Sequence, residues 1–185
     1  MIILKHIKKS KQGVIILKKI AVKDFQANPF DLIGKKWMLV TAEHEGVVNT
    51  MTASWGGLGH MWNKDVAYVV LRPQRYTKEL VDQEDTFTLS FYGEEYRKAL
   101  GYLGTISGRD EDKIAKSGLT VTHVEGAPTF EEAELTIVCR KLFVQEYLEK
   151  SFISSDAEEL VKTWYPEKDF HTLYIAEVLH IFEKE

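Results

Sequence analysis

Hydrophobic periodicity along this chain predicts strands more often than helices. Short runs rich in branched and aromatic residues, bounded by charged or turn residues, predict strands at 36–42 (KWMLVTA), 66–71 (VAYVVL), 86–91 (TFTLSF) and 135–147. A fifth is predicted at 171–182 (HTLYIAEVLHIF), with fainter signals at 49–54 and 119–124. Helices are predicted at 77–82, opened by Thr77 as cap, and at 94–103, where Tyr96, Leu100 and Leu103 share one face. A third, 110–116, starts from Asp110 and stops near Gly118. The fourth, 155–164, carries a capping box of Ser155 and Glu158 and ends before Pro166. No strand–helix–strand rhythm recurs. The expected class is therefore mainly β with peripheral α, an antiparallel barrel rather than a doubly wound parallel sheet.

Composition narrows this picture. With 44% apolar and 11% aromatic residues, the 185-residue chain can build a core, so a disordered chain is excluded. A single cysteine, Cys139 in a strand-like run, excludes a disulfide framework and reads as a buried thiol. The formal net charge of −4 argues against nucleic acid as a general partner. It hides an asymmetry: residues 1–23 hold seven lysines and no acid, so a +7 arm precedes a body of −11. The arm reads either as a partner-binding element or as an extension that adds a strand or packs on a neighbour. The division expected is a basic N-terminal extension, 1–18, before one domain, 19–185. The longest apolar stretch, 66–71, falls far short of the ~20 residues of a membrane helix. No signal-peptide core is visible, so the expected location is cytoplasmic, with no membrane partner.

Familiar catalytic patterns are missing. Gly57–Leu58–Gly59 begins a dinucleotide fingerprint, but Trp62 stands where the third glycine belongs. There is no GxxxxGK, no HExxH and no GxSxG, and the six histidines show no i,i+4 pair, so no metal site is expected.

Three segments carry chemistry. In 49–62 (NTMTASWGGLGHMW), Thr50, Thr52 and Ser54 alternate with Met51, Ala53 and Trp55, which on a strand separates hydroxyls from apolar groups. The glycines that follow would let backbone approach a ligand. In 72–77 (RPQRYT), two arginines follow a buried strand and Thr77 opens a helix. Guanidinium forks and a helix N-terminus both favour phosphate. In 104–113 (GTISGRDEDK), Arg109 and Lys113 accompany hydroxyls and could bring a cation near developing negative charge. Together they describe a pocket for a phosphate at one end and a flat aromatic group at the other.

The order of MTASWGGLGHMW (51–62), VVLRPQRYT (69–77), FTLSF (87–91) and ALGYLGTISGRDEDK (99–113) resembles the flavin reductase-like, FMN-binding split-barrel family. The likeness is to its flavoredoxin-like branch and spans roughly residues 19–183. It implies a six-stranded antiparallel Greek-key barrel and a homodimer with FMN at or near the subunit interface. It implies that Met51, Thr52, Ala53, Ser54 and Trp55 line the flavin, and that Arg72, Arg75, Tyr76 and Thr77 hold the phosphate end. Ser107 and Lys113 would approach the ring or ribityl chain. Lys113 and His171 are the candidate catalytic groups, Lys113 as a donor to reduced flavin.

The function this implies is an FMN-dependent oxidoreductase. It would pass electrons from NADH or NADPH to an acceptor such as free flavin, ferric iron or a redox partner protein. An electron carrier or sensor without nicotinamide turnover is the alternative. A tetrapyrrole-binding barrel is a third reading, though it leaves the arginine–threonine cluster unexplained.

Overall fold

A computed structural model describes residues 5–10 and 13–185, with side chains from Leu17 onward. Eleven strands follow in order: β1 (Lys5–Ser10), β2 (Gly13–Ile20), β3 (Met38–His44), β4 (Val47–Ala53), β5 (Gly56–Met61), β6 (Lys64–Leu71), β7 (Thr86–Phe91), β8 (Val121–Val124), β9 (Ala127–Phe130), β10 (Leu135–Glu146) and β11 (Thr172–Lys184). Four helices lie between them: α1 (Tyr76–Gln83), α2 (Arg97–Thr105), α3 (Lys113–Ser117) and α4 (Ala157–Trp164). Among the described residues no helix is long and apolar enough to cross a membrane.

The barrel wall is the antiparallel run β6–β11–β10–β7–β3–β4. Its logic is the period of two. Met38, Val40 and Ala42 of β3 face one core with Ala67, Val69 and Leu71 of β6, Phe87, Leu89 and Phe91 of β7, Leu135, Ile137 and Cys139 of β10, and Tyr174 and Ala176 of β11. Burial pushes the Cys139 thiol far above its ordinary pKa, so it is an inert core group. β11 serves two partners in turn on one edge: Thr172–Glu177 pairs with β6, and Ile181–Lys184 pairs with β2. The expected basic extension thus lies partly outside the described residues, and β1 and β2 run as a hairpin across its 18/19 boundary.

Several local expectations need correction. β3 starts at Met38, not residue 36, because a π-helical turn (Phe30–Lys35) precedes it and Trp37 takes a left-handed φ of 67°. The Arg97 guanidinium stacks on Trp37 and donates to the carbonyls of Lys35 and Lys36, holding that turn closed. Helix 94–103 resolves into a 3-10 turn and α2, starting at Arg97. Thr77 does not cap α1; Arg75 occupies the cap position without a side-chain bond, and Thr77 lies inside the first turn. α3 is capped by Asp112, whose carboxylate accepts from the Ala115 N–H, and not by Asp110; Gly118 ends it with a φ of 80°. The Ser155 capping box does not form at α4. The last strand begins at Thr172, one residue after His171.

The glycines of 56–59 also have a different use from the one expected. They lie in β5, paired with β6, and their missing side chains admit Tyr68. A Cβ on Gly57 would sit 2.5 Å from the Tyr68 ring, and one on Gly56 2.3 Å from its carbonyl oxygen.

Candidate functional site

β4 ends the barrel path: β3 pairs one edge, and no strand among the described residues pairs the other. On β4, Met51 points into the core. Thr50 and Thr52 point the other way and are already engaged, Thr50 with Thr41 and the Val40 carbonyl, Thr52 with the Leu100 carbonyl at 2.5 Å. What this strand offers a ligand is its open main-chain edge, with N–H and C=O groups that need partners.

Two adjoining cavities follow that edge. The first, about 310 Å³, is lined by Met51 to Trp55, Arg72, Gln74, Arg75, Trp164 and His171. The second, about 210 Å³, is lined by Tyr76, Thr77, Thr105, Ser107, Gly108 and Lys113. Met51, Gln74 and Arg75 belong to both. Small-molecule sites run to about 300–1,000 Å³, so the pair has the size of one. A larger cleft, about 640 Å³, lies between the 25–36 segment and the end of β11; it shares no lining residue with this pair.

The cations differ in what holds them. Arg72 donates to Asp169 at 2.5 Å and to the Trp164 carbonyl at 2.6 Å, which straps the 164–169 segment over the first cavity. Gln74 supports the strap from Nε2 at 2.9 Å. Arg109 is spent elsewhere: it pairs with Glu79, donates to the Gln74 carbonyl and stacks on Tyr76. The Arg75 guanidinium has no hydrogen-bond or ion-pair partner among the described residues, although the Arg75 backbone N–H donates to the Arg72 carbonyl at 3.1 Å. Burial and then the charge of Arg72 hold its pKa below the ordinary value. A guanidinium stays charged regardless, so it sets a positive charge between the two cavities.

Lys113 is only 3% exposed and has a role the sequence did not reveal. Its ammonium donates to the carbonyls of Leu103 and Ile106, at 3.0 and 2.9 Å, closing the C-terminal end of α2. Burial first, then Arg75, lowers its pKa to about 8. His171 bonds through Nδ1 to the Tyr165 hydroxyl at 2.8 Å. Burial and then Arg72 lower its pKa to about 4, so it is neutral at pH 7. Its ring lies 5.1 Å from that of Trp55, which meets Trp164 edge-on at 5.0 Å.

Every predicted flavin-contact residue, Met51 through Trp55, Arg72, Arg75, Tyr76, Thr77, Ser107 and Lys113, lines one cavity or both. Sequence reasoning missed Gln74, Trp164, Asp169 and Asn49. Gln74 and Asn49 stood inside quoted segments, and Trp164 closed a predicted helix before a proline; Asp169 gave no signal of its own.

Residues 30–185 match the model of the family described as flavin reductase like domain. The chain belongs to that family. A protein of Aeropyrum pernix is 31% identical over 54% of this chain and 39% of its own length. The chain spans less than two thirds of the length of the curated relatives it matches. Among solved structures, flavoredoxin from Methanosarcina acetivorans superposes with a TM-score of 0.63 at 22% identity, covering 81% of this chain and 69% of that one. The styrene monooxygenase flavin reductase from Pseudomonas putida S12 does so with a TM-score of 0.57 at 21% identity, covering 79% and 77%. These likenesses carry the fold, and it is the split barrel expected for a flavin reductase-like domain.

Proposed function

We propose that this flavin reductase-like chain is an FMN-dependent oxidoreductase. The observation that carries the reading is Arg75: a half-buried guanidinium without a partner, set between two cavities at the open start of a helix. The donor set fits a phosphate. α1 has no side-chain cap, so the N–H groups of Tyr76 and Thr77 are available, while the Lys78 N–H donates to the Arg75 carbonyl; the Thr77 and Ser107 hydroxyls line the same wall.

In this reading Arg75, Thr77 and Ser107 bind the phosphate in the second cavity. The main-chain edge of Met51–Ala53 and the faces of Trp55 and Trp164 hold the flat ring system in the first. Arg72 keeps its strap and shapes the wall, a lesser part in phosphate binding than its motif implied. Lys113 fixes the end of α2 and adds positive potential near the phosphate. His171 presents a neutral ring to the first cavity, held by Tyr165. When bound, FMN supplies transfer of two electrons from NADH or NADPH to an acceptor such as free flavin, ferric iron or a partner protein. The electron carrier without nicotinamide turnover differs only in lacking the first half.

Two finer points belong to the same proposal. The protein is a cytoplasmic homodimer, and the surface a second copy would cover is the exposed apolar strip of Met61, Trp62, Leu142, Phe143 and Val144. Trp62 and Phe143 already lie 6.1 Å apart across it.

The test is direct. The purified protein should be yellow or take up FMN, and should oxidise NADH or NADPH with ferric chelate or free flavin as acceptor. Failure to take up FMN sinks the proposal. FMN uptake without nicotinamide oxidation leaves the carrier reading standing instead.

A further inference from the structure

Asn49 lies in β4, two residues before Met51, and is 3% exposed. A buried primary amide must have its donors and acceptor accounted for. Its Nδ2 donates to the Thr77 hydroxyl at 2.9 Å. Its Oδ1 lies against Gly108: a Cβ built on that glycine would stand 2.3 Å from it. One side chain therefore touches both walls of the second cavity, the start of α1 and the loop after α2.

The direction of the bond to Thr77 matters. A hydroxyl that accepts from an amide keeps its own proton for donation. Thr77 is buried, lines the second cavity, and donates to no acceptor among the described residues. Its proton is left for whatever occupies the cavity, beside the unpaired Arg75. Gly108 completes the arrangement: a side chain there would crowd Asn49 Oδ1 and the Tyr76 ring, at 2.3 and 3.2 Å from its Cβ.

We infer that Asn49 is the positioning residue of the anion end, turning the Thr77 O–H and holding the 105–108 loop toward the ligand's terminal phosphate. The inference rests on the FMN reading above and names the residue that orients its phosphate end. Asn49→Asp keeps the shape of the amide and reverses its polarity. The carboxylate would accept the Thr77 proton, turn the hydroxyl away from the cavity and place negative charge behind it. Asn49→Leu removes the donor without adding charge.

FMN and riboflavin are titrated into the wild type and both variants by flavin fluorescence, with circular dichroism as a check on folding. Riboflavin lacks the phosphate, so it reports every contact except those at the anion end. Asn49→Asp should raise the FMN Kd roughly thirtyfold and the riboflavin Kd less than about threefold, since it costs a donor and adds repulsion at the phosphate alone. Asn49→Leu should raise the FMN Kd about fivefold, and should cost nothing further in a Thr77→Val background, because the two act through one hydroxyl. Equal losses for both flavins, an unchanged FMN Kd, or full additivity with Thr77→Val overturns the assignment. A wild type that takes up neither flavin overturns the FMN reading and the assignment with it; a wild type that binds FMN while its variants fail these expectations overturns the assignment alone.

Discussion

Two sets of hydroxyl groups flank the same sheet, and the fold treats them in opposite ways. Beneath the β8–β9 hairpin, Thr88 donates to the Pro128 carbonyl at 2.6 Å, Ser90 bonds Thr129 at 2.9 Å, and Thr129 bonds Thr136 at 2.8 Å. All are buried, and the ladder closes on itself. At the second cavity the accounting stays open among the described residues: the Thr77 hydroxyl accepts and does not donate, and the Arg75 guanidinium has no partner. A buried polar group short of a bond costs about 1–3 kcal/mol. In the FMN reading proposed above, the ligand completes that deficit. Residue type does not separate these regions, since both are rich in threonine and serine. Unfinished hydrogen bonding does.

The sharpest way to break the comparison is Arg75→Ala. Losing two charge-assisted bonds at about 1.5–3 kcal/mol each should weaken FMN binding by about a hundredfold or more, with riboflavin little affected. An unchanged FMN titration would mean that the open donors serve nothing. Thr129→Val tests the closed side. It removes two bonds and leaves neighbours short of partners, so urea denaturation should show a loss of about 2–3 kcal/mol, with FMN affinity unchanged.

His171 gives a pH-dependent contrast. Unfolded, it takes up a proton near pH 6.5; folded, only near 4, because burial and Arg72 disfavour the imidazolium. Between those values the unfolded state binds more protons, so the wild type loses stability as the pH falls through this window. His171→Gln should remove about 2 kcal/mol of that loss, read as the difference between denaturation at pH 7 and pH 4.5. The smallest effect is expected from Arg72→Ala. Its guanidinium is already satisfied, so the FMN Kd should rise less than about fivefold. The clearer outcome is faster tryptic cleavage at Lys168 as the strap loosens. A loss matching that of Arg75→Ala would restore Arg72 to the phosphate.

Much of the fold was legible because a barrel wall repeats one rule. Alternation within β3, β6, β7 and β10 marks the core face, whatever the partner strand. The helix caps were less legible. Thr77 and Ser155 are the right residue types, but α1 and α4 begin where tertiary packing sets them, and neither side chain bonds a helix N–H. The glycines of β5 misled for a similar reason: their neighbour is Tyr68, a residue of the next strand. Lys113 was read as a ligand contact, yet its nearest partners are the two carbonyls that end α2.

The sequence by itself determined the class, the family, and the residues that gather around the cavities, because local periodicity and ordered motifs survive without knowledge of contacts. Tertiary structure alone decided which of those residues remain available to a ligand. Arg72 meets Asp169 across 97 positions, and Asn49 meets Thr77 across 28. A hydrogen bond depends on distance and direction in space, and separation along the chain says nothing about either.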